Sequence, residues 1–79
     1  MKKVILYSSS GCIYCDMVKR FFKKYKIIHK ERKIDIDPKA MEELIKLVPD
    51  DGVPTIIIDG KIHQYFDEIE LKKIFKIKK

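Results

Sequence analysis

Seventy-nine residues leave room for one domain, residues 1–79, and a chain this short buries only about 60% of its unfolded surface. With 46% hydrophobic residues, three Gly and three Pro, the composition excludes a disordered or fibrous chain, and no apolar run approaches the roughly 20 residues of a membrane span. The net charge of +6 comes from 18 Lys and Arg against 12 Asp and Glu; Arg20 and Arg32 are the only arginines, a poor supply of forks for phosphates and bases, so the excess reads as a Lys-rich solvated surface and nucleic-acid binding is not expected.

The N-terminus opens like a signal peptide, but the apolar run Val4-Ile5-Leu6-Tyr7 stops at Ser8-Ser9-Ser10, too short for an h-region. The chain is therefore expected to be cytoplasmic and complete. Residues 4–7 instead read as a strand buried on both faces, closed by the Ser/Gly turn. From Cys12 the period changes: Cys15, Val18, Phe22 and Tyr25, with Phe21 beside Val18, form one face of an amphipathic helix over about 13–25. Lys19, Arg20, Lys23 and Lys24 take the other side. A strand is expected around 30–36. Asp37-Pro38 then opens a second helix with an N-cap Asp and a first-turn Pro. Met41, Leu44, Ile45 and Val48 supply its apolar face, and Pro49-Asp50-Asp51-Gly52 ends it.

Pro54 to Ile58 is a β-branched strand, Asp59-Gly60 a type I′ hairpin signal, and 61–66 the returning antiparallel strand. Asp67, with Glu70 three residues on, makes a capping-box-like start for a last helix carrying Ile69, Ile74, Phe75 and Ile77. The order is β-α-β-α-β-β-α. A right-handed first crossover makes the first two strands parallel, giving an α/β domain with a mixed four-stranded sheet flanked by three helices.

Cys12 and Cys15 are the whole cysteine supply. A bridge across two residues closes too small a loop to restrain the unfolded chain, so the pair is redox-active, metal-binding or incidental. Zinc needs four ligands, and His29 and His63 are not at finger-like spacing, so no metal is expected and both read as strand-surface residues. Placement favours redox chemistry. Cys12 follows a strand and a turn and opens a helix, where unpartnered N–H groups and the macrodipole stabilise a thiolate. Cys15 lies one turn deeper on the same face, within disulfide reach, and leads the apolar stripe. Cys12 is thus the attacking thiolate and Cys15 the buried, resolving thiol.

At this point the chain resembles the glutaredoxin branch of the thioredoxin fold over nearly its whole length. Cys12-Ile13-Tyr14-Cys15 is similar to the family's C-P-Y-C, Val18-Lys19 to its Ala-Lys, Gly52-Val53-Pro54-Thr55 to its T-V-P segment, and Asp59-Gly60-Lys61 to its hairpin. Asp67 falls on the Asp that follows its Gly-Gly pair. The resemblance implies a thioredoxin-like (glutaredoxin) fold and a thiol–disulfide oxidoreductase, an electron-transport protein with catalytic Cys12 and Cys15 and no bound cofactor. It also implies a cis Val53–Pro54 peptide facing the cysteines, and a substrate groove shaped by Tyr14, Val53, Pro54 and Asp67. The expected substrate is a protein disulfide, ribonucleotide reductase among the candidates, and a monomer is expected. Three departures bear on the reductant: Ile13 replaces the motif Pro, Ser9 a Lys that contacts a glutathione carboxylate, and Gln64-Tyr65 the Gly-Gly pair that glutathione approaches. Glutathione thereby competes as electron donor with a flavoprotein disulfide reductase. The alternative from the same family is a dimeric iron–sulfur-cluster module held through Cys12 of each chain, which Ile13 leaves open.

Overall fold

The computed structural model describes residues 2–48, 52–64 and 66–77. In chain order the elements are β1 (Val4–Ser8), α1 (Ile13–Lys24), β2 (Lys30–Lys33), α2 (Pro38–Leu47), β3 (Thr55–Ile58), β4 (Lys61–Gln64) and α3 (Glu68–Ile74). This is the expected order. The strands form one mixed sheet, β2-β1-β3-β4, with β1 parallel to β2 and antiparallel to β3, and β3 paired antiparallel with β4.

Strand alternation divides the interior into two layers. Val4 and Leu6 of β1 and Ile56 and Ile58 of β3 face one way, against Val18, Phe21 and Phe22 of α1 and Leu71 of α3. Tyr7 faces the other way, against Ile34 and against Ala40, Leu44 and Val48 from α2 and its C-cap, with Ile5 and Ile57 alongside. The α2 side carries a polar clasp. The Tyr7 hydroxyl donates to Glu43 Oε1 at 3.0 Å, and Arg32 grips the same carboxylate through Nε and Nη2 while Nη1 lies 3.5 Å from Asp37. β1, β2 and α2 are thus tied by one carboxylate and one guanidinium fork.

Several boundaries and faces differ from the sequence reading. β2 stops at Lys33 rather than 36, because the Asp37 and Ile36 N–H groups both turn back to the Lys33 carbonyl. Ile45 is 53% exposed rather than core, because Ala40, Leu44 and Val48 at intervals of four occupy the face that meets the sheet. On α3 the expected Ile69 is 70% exposed, whereas Leu71 is buried. β4 ends at Gln64, short of Phe66, and β1 extends to a fully buried Ser8. The expected helix terminator Pro49-Asp50-Asp51 lies outside the described residues. The hairpin behaves as read: Asp59 and Gly60 have φ of 49° and 85°, the two positive values a type I′ turn requires.

α1 and α3 end alike. After α1, the Lys26 N–H reaches the Lys23 carbonyl and the Ile27 N–H the Phe22 carbonyl; after α3, Lys76 and Ile77 repeat the pattern on Lys73 and Lys72. Each is a Schellman motif, whose turning residue is left-handed and usually Gly. Here those residues are Lys26 and Lys76, at φ 54° and 57°. A side chain in this conformation costs about 1–2 kcal/mol, which attraction of the ammonium to the helix C-terminus offsets by about 0.3–1 kcal/mol. Lys26→Gly and Lys76→Gly should each raise the unfolding free energy by about 0.5–1 kcal/mol in urea denaturation. A loss of stability in both would contradict the strained-cap reading.

Candidate active site

β1 carries the chain to the two cysteines. Ser8, its last residue, accepts the Ile34 N–H at 2.9 Å through its carbonyl, and its hydroxyl donates to Glu31 Oε2 at 2.7 Å. The chain then turns through Ser9, Ser10 and Gly11. Gly11 has φ 75° with open space around the place a side chain would take, so the backbone conformation, not crowding, calls for glycine. The Ser10 N–H donates to Asp35 Oδ2 at 3.1 Å; hydrogen bonds from Ser10 hold the Asp35 carboxyl below its ordinary value.

Cys12 is the N-cap of α1, with extended dihedrals of −92° and 110°. Its carbonyl accepts the first helical bond, from Asp16 N–H, and its Sγ accepts the Cys15 N–H at 3.1 Å. The sulfur thus takes the place a Ser or Asp oxygen holds in an ordinary cap. Both cysteines are free thiols, Cys12 half-buried and Cys15 buried. Burial, then the neighbouring Cys12 sulfur, pushes the Cys15 thiol up to about 12, against the pull of the Ser9 main-chain N–H and the Lys19 ammonium. The pair is asymmetric: a half-exposed sulfur at a helix N-terminus, and a dry thiol behind it that keeps its proton.

Lys19 is not on the solvated side where its sequence position put it. It is half-buried, with Nζ 2.6 Å from Glu31 Oε2. Burial pushes the Glu31 carboxyl up, but the hydrogen bonds from Lys19 and Ser8, with the charges of Lys19 and Lys33, outweigh it and hold the group below its ordinary value. The Glu31 hydrogen bond in turn raises Lys19, fixing a positive charge one turn beyond Cys15. Sequence reasoning missed Ser8, Glu31 and Asp35 as neighbours of the site. Their partners lie 23 and 25 residues away, so no local pattern marks them.

The other expected site residues divide. The Val53–Pro54 peptide is cis, as the resemblance implies. Pro54 is fully buried, and Val53 packs partly buried against the α2-side core. Thr55 Oγ1 donates to the Gly52 carbonyl at 2.6 Å and closes this loop. The paired row Arg32–Tyr7–Thr55–Gln64 brings the end of β1, the Pro54 loop and the end of β4 to the same end of the sheet. Ile13 and Tyr14 stand exposed at 74% and 59%. Asp67 caps α3, accepting the Glu70 N–H at 3.2 Å, as its spacing predicts. Glu70 itself lies toward His63 Nδ1 at 4.0 Å, so the box is half made. Tyr65 lies outside the described residues. The His29 ring lies tilted against Phe22, with ring centroids 4.6 Å apart, and the described residues hold no group of three or more His, Cys, Asp or Glu suited to a metal ion.

The protonated Cys15 has a consequence for stability. Its unfolded counterpart ionises from its ordinary value of 9.0, whereas the folded thiol keeps its proton to about 12. Above pH 9 the unfolded state therefore binds fewer protons, and stability falls as pH rises through this window. The slope for one thiol approaches about 1.4 kcal/mol per pH unit. Urea denaturation of the reduced protein between pH 7.5 and 10 should show this loss, and Cys15→Ser should lack that component.

Comparison with known proteins agrees with this geometry. The sequence model of the Glutaredoxin family matches residues 4–63. A glutaredoxin-like 8.6 kDa protein of the rubredoxin operon of Clostridium pasteurianum is 32% identical over 71 residues, spanning 90% of this chain and 95% of the relative. Among solved structures, a point mutant of the thioredoxin-like protein BC3987 superposes with a TM-score of 0.83 at 29% identity, covering 99% of this chain and all of the other. Glutaredoxin 1 of Francisella tularensis, solved with cacodylate, gives 0.72 at 29% identity over the whole of both chains. The family match spans β1, the Cys12–Cys15 turn and helix, the Pro54 loop and the hairpin strand up to His63: the chain belongs to the glutaredoxin family.

Proposed function

We propose that this protein reduces protein disulfides through Cys12 and Cys15. The observation that carries the proposal is the asymmetry of the pair: Cys12 Sγ sits at the helix N-cap accepting the Cys15 N–H, while Cys15 is buried and held protonated. In the first step the Cys12 thiolate attacks one sulfur of the substrate disulfide. A Cys12–substrate disulfide forms, the substrate S–S bond breaks, and the leaving thiolate takes up a proton. In the second step Cys15 loses its proton and attacks Cys12 Sγ. The Cys12–Cys15 disulfide forms and the second substrate thiol leaves, so two electrons have passed to the substrate.

The electrostatics order these steps. In the free protein the Cys12 sulfur helps keep Cys15 protonated. Once Cys12 is in a mixed disulfide it has no charge, and that influence lapses. Burial then stands alone against the Ser9 N–H and the Lys19 charge, so Cys15 becomes easier to ionise when it is needed. Cys15→Ser should accumulate a stable mixed disulfide with a reporter substrate, visible by non-reducing mass spectrometry, and Cys12→Ser should form none. Reductase activity retained by Cys12→Ser would refute the roles.

The same reading extends to the electron donor. Ser9 in place of the family's Lys removes one charge-assisted contact to glutathione, worth about 1.5–3 kcal/mol. Gln64-Tyr65 in place of Gly-Gly adds side chains where close backbone approach is needed. At 1.4 kcal/mol per factor of ten, glutathione binding should weaken by roughly two orders of magnitude. Steady-state assays should give poor turnover with glutathione and its reductase, and better turnover with a flavoprotein disulfide reductase. Ser9→Lys combined with Gln64→Gly and Tyr65→Gly should recover the glutathione-dependent rate. Efficient glutathione turnover by the unmodified protein would overturn this assignment.

A further inference from the structure

At the pole opposite the dithiol, three element ends meet: β1 begins there, and α1 and α3 finish there. They bring Lys2 and Lys3, then Lys23, Lys24 and Lys26, then Lys72, Lys73 and Lys76. Among the described residues two carboxylates pair with these eight ammonium groups: Asp59, 3.7 Å from the Lys2 ammonium and also accepting the Lys3 main-chain N–H, and Glu68, 3.1 Å from the Lys72 ammonium. Among the described residues no ion pair engages Lys26, Lys73 or Lys76. The other described residues carry eight basic and eight acidic side chains, so the excess positive charge of the described residues lies at this pole.

Between these ends lies a cleft of about 340 Å³ floored by Val4, Ile27 and Phe75 and edged by Ile28, with Lys2, Lys26 and Lys76 at its rim. Ile28 is 71% exposed. Lys26 and Lys76 are also the two left-handed cap residues at φ 54° and 57°, positions where Gly is the cheaper choice. Both therefore place a charge at the same cleft in spite of their backbone conformation, and strain of this kind clusters at binding sites.

We propose that this pole is a docking site for an acidic segment of a partner protein, which lays carboxylates along the lysines and inserts one apolar side chain into the cleft. The ammonium groups are separate point charges suited to scattered carboxylates, rather than the planar forks that grip phosphate. Arg20 lies within α1, and Arg32 is held by Glu43 and Asp37. The apolar surface is recessed apart from Ile28, which fits a protruding side chain; a helix lying on a bilayer presents a broad exposed apolar face instead. The cleft is at the low end of the ~300–1,000 Å³ range of ligand pockets, the scale of a single anchoring group. Docking here leaves the Cys12 pole uncovered, and the inference does not rest on the redox reading.

The test is an NMR titration of the ¹⁵N-labelled protein with a blocked seven-residue peptide, one Phe flanked on each side by three acidic residues. Amide shifts should cluster at residues 2–4, 24–28 and 74–77, and binding should weaken with added salt. The same peptide with Ala for Phe should bind at least tenfold more weakly. Lys26→Gly with Lys76→Gly should abolish the response; because these changes relieve cap strain, a loss of binding is not a loss of fold, and disulfide reduction should be unchanged. Ile28→Ser should weaken binding selectively for the Phe peptide. No shifts, shifts centred on the dithiol pole, equal binding of the Ala peptide, or stronger binding to phosphatidylglycerol vesicles or single-stranded DNA than to the peptide would each overturn the proposal.

Discussion

β1 has no solvent side. Val4, Leu6, Tyr7 and Ser8 are all buried, flanked by β2 and β3 within the sheet and covered by α1 and α3 on one face and α2 on the other. A strand buried on both faces is held by its register, since a one-residue slip would send Leu6 into the α2 layer and Tyr7 away from Glu43. The Cys12 sulfur is four residues beyond the end of this strand. Its position is therefore set by the best-fixed backbone in a small domain, and the intervening turn needs only one left-handed residue and one anchor, Gly11 and the Ser10–Asp35 bond.

Around that anchor, charge acts at short range and in pairs. Glu31 is held by Lys19 and Ser8, and Lys19 acts on Cys15; Glu43 is shared by Tyr7 and Arg32. Apart from the exposed Glu43, these groups are partly withdrawn from water, where a neighbouring charge is felt more strongly than on the open surface. The lysines of the opposite pole are mostly exposed and answered by few carboxylates, so their field is long-ranged and screened by salt. One chain thus carries two electrostatic regimes, a local one that sets proton affinities beside the dithiol and a diffuse one suited to attracting a distant partner.

The elements and their order were legible because their signals are local. The Cys15–Val18–Phe22 stripe, the Asp37-Pro38 and Asp67 caps, and the Asp59-Gly60 turn each depend on residues within a few positions, as does the strand-turn-helix setting of Cys12. What the sequence did not disclose depends on how distant elements meet. Lys19 looks solvated on a helical wheel and turns inward only because β2 presents Glu31 to it. Ile45 and Ile69 fit an apolar period but miss the sheet, and Leu71 takes the place expected for Ile69. Lys26 and Lys76 gave no turn signal, because the left-handed cap is normally announced by Gly.

The cap of α1 is a sulfur atom, and a sulfur atom is also a reporter. Anything that alters Cys12 Sγ, whether oxidation, alkylation or metal capture, removes or weakens the acceptor of the Cys15 N–H and leaves the first turn of the helix to fray. The chemical state of the thiol is thereby written into the exchange lifetimes of the first-turn amides, that of Cys15 foremost.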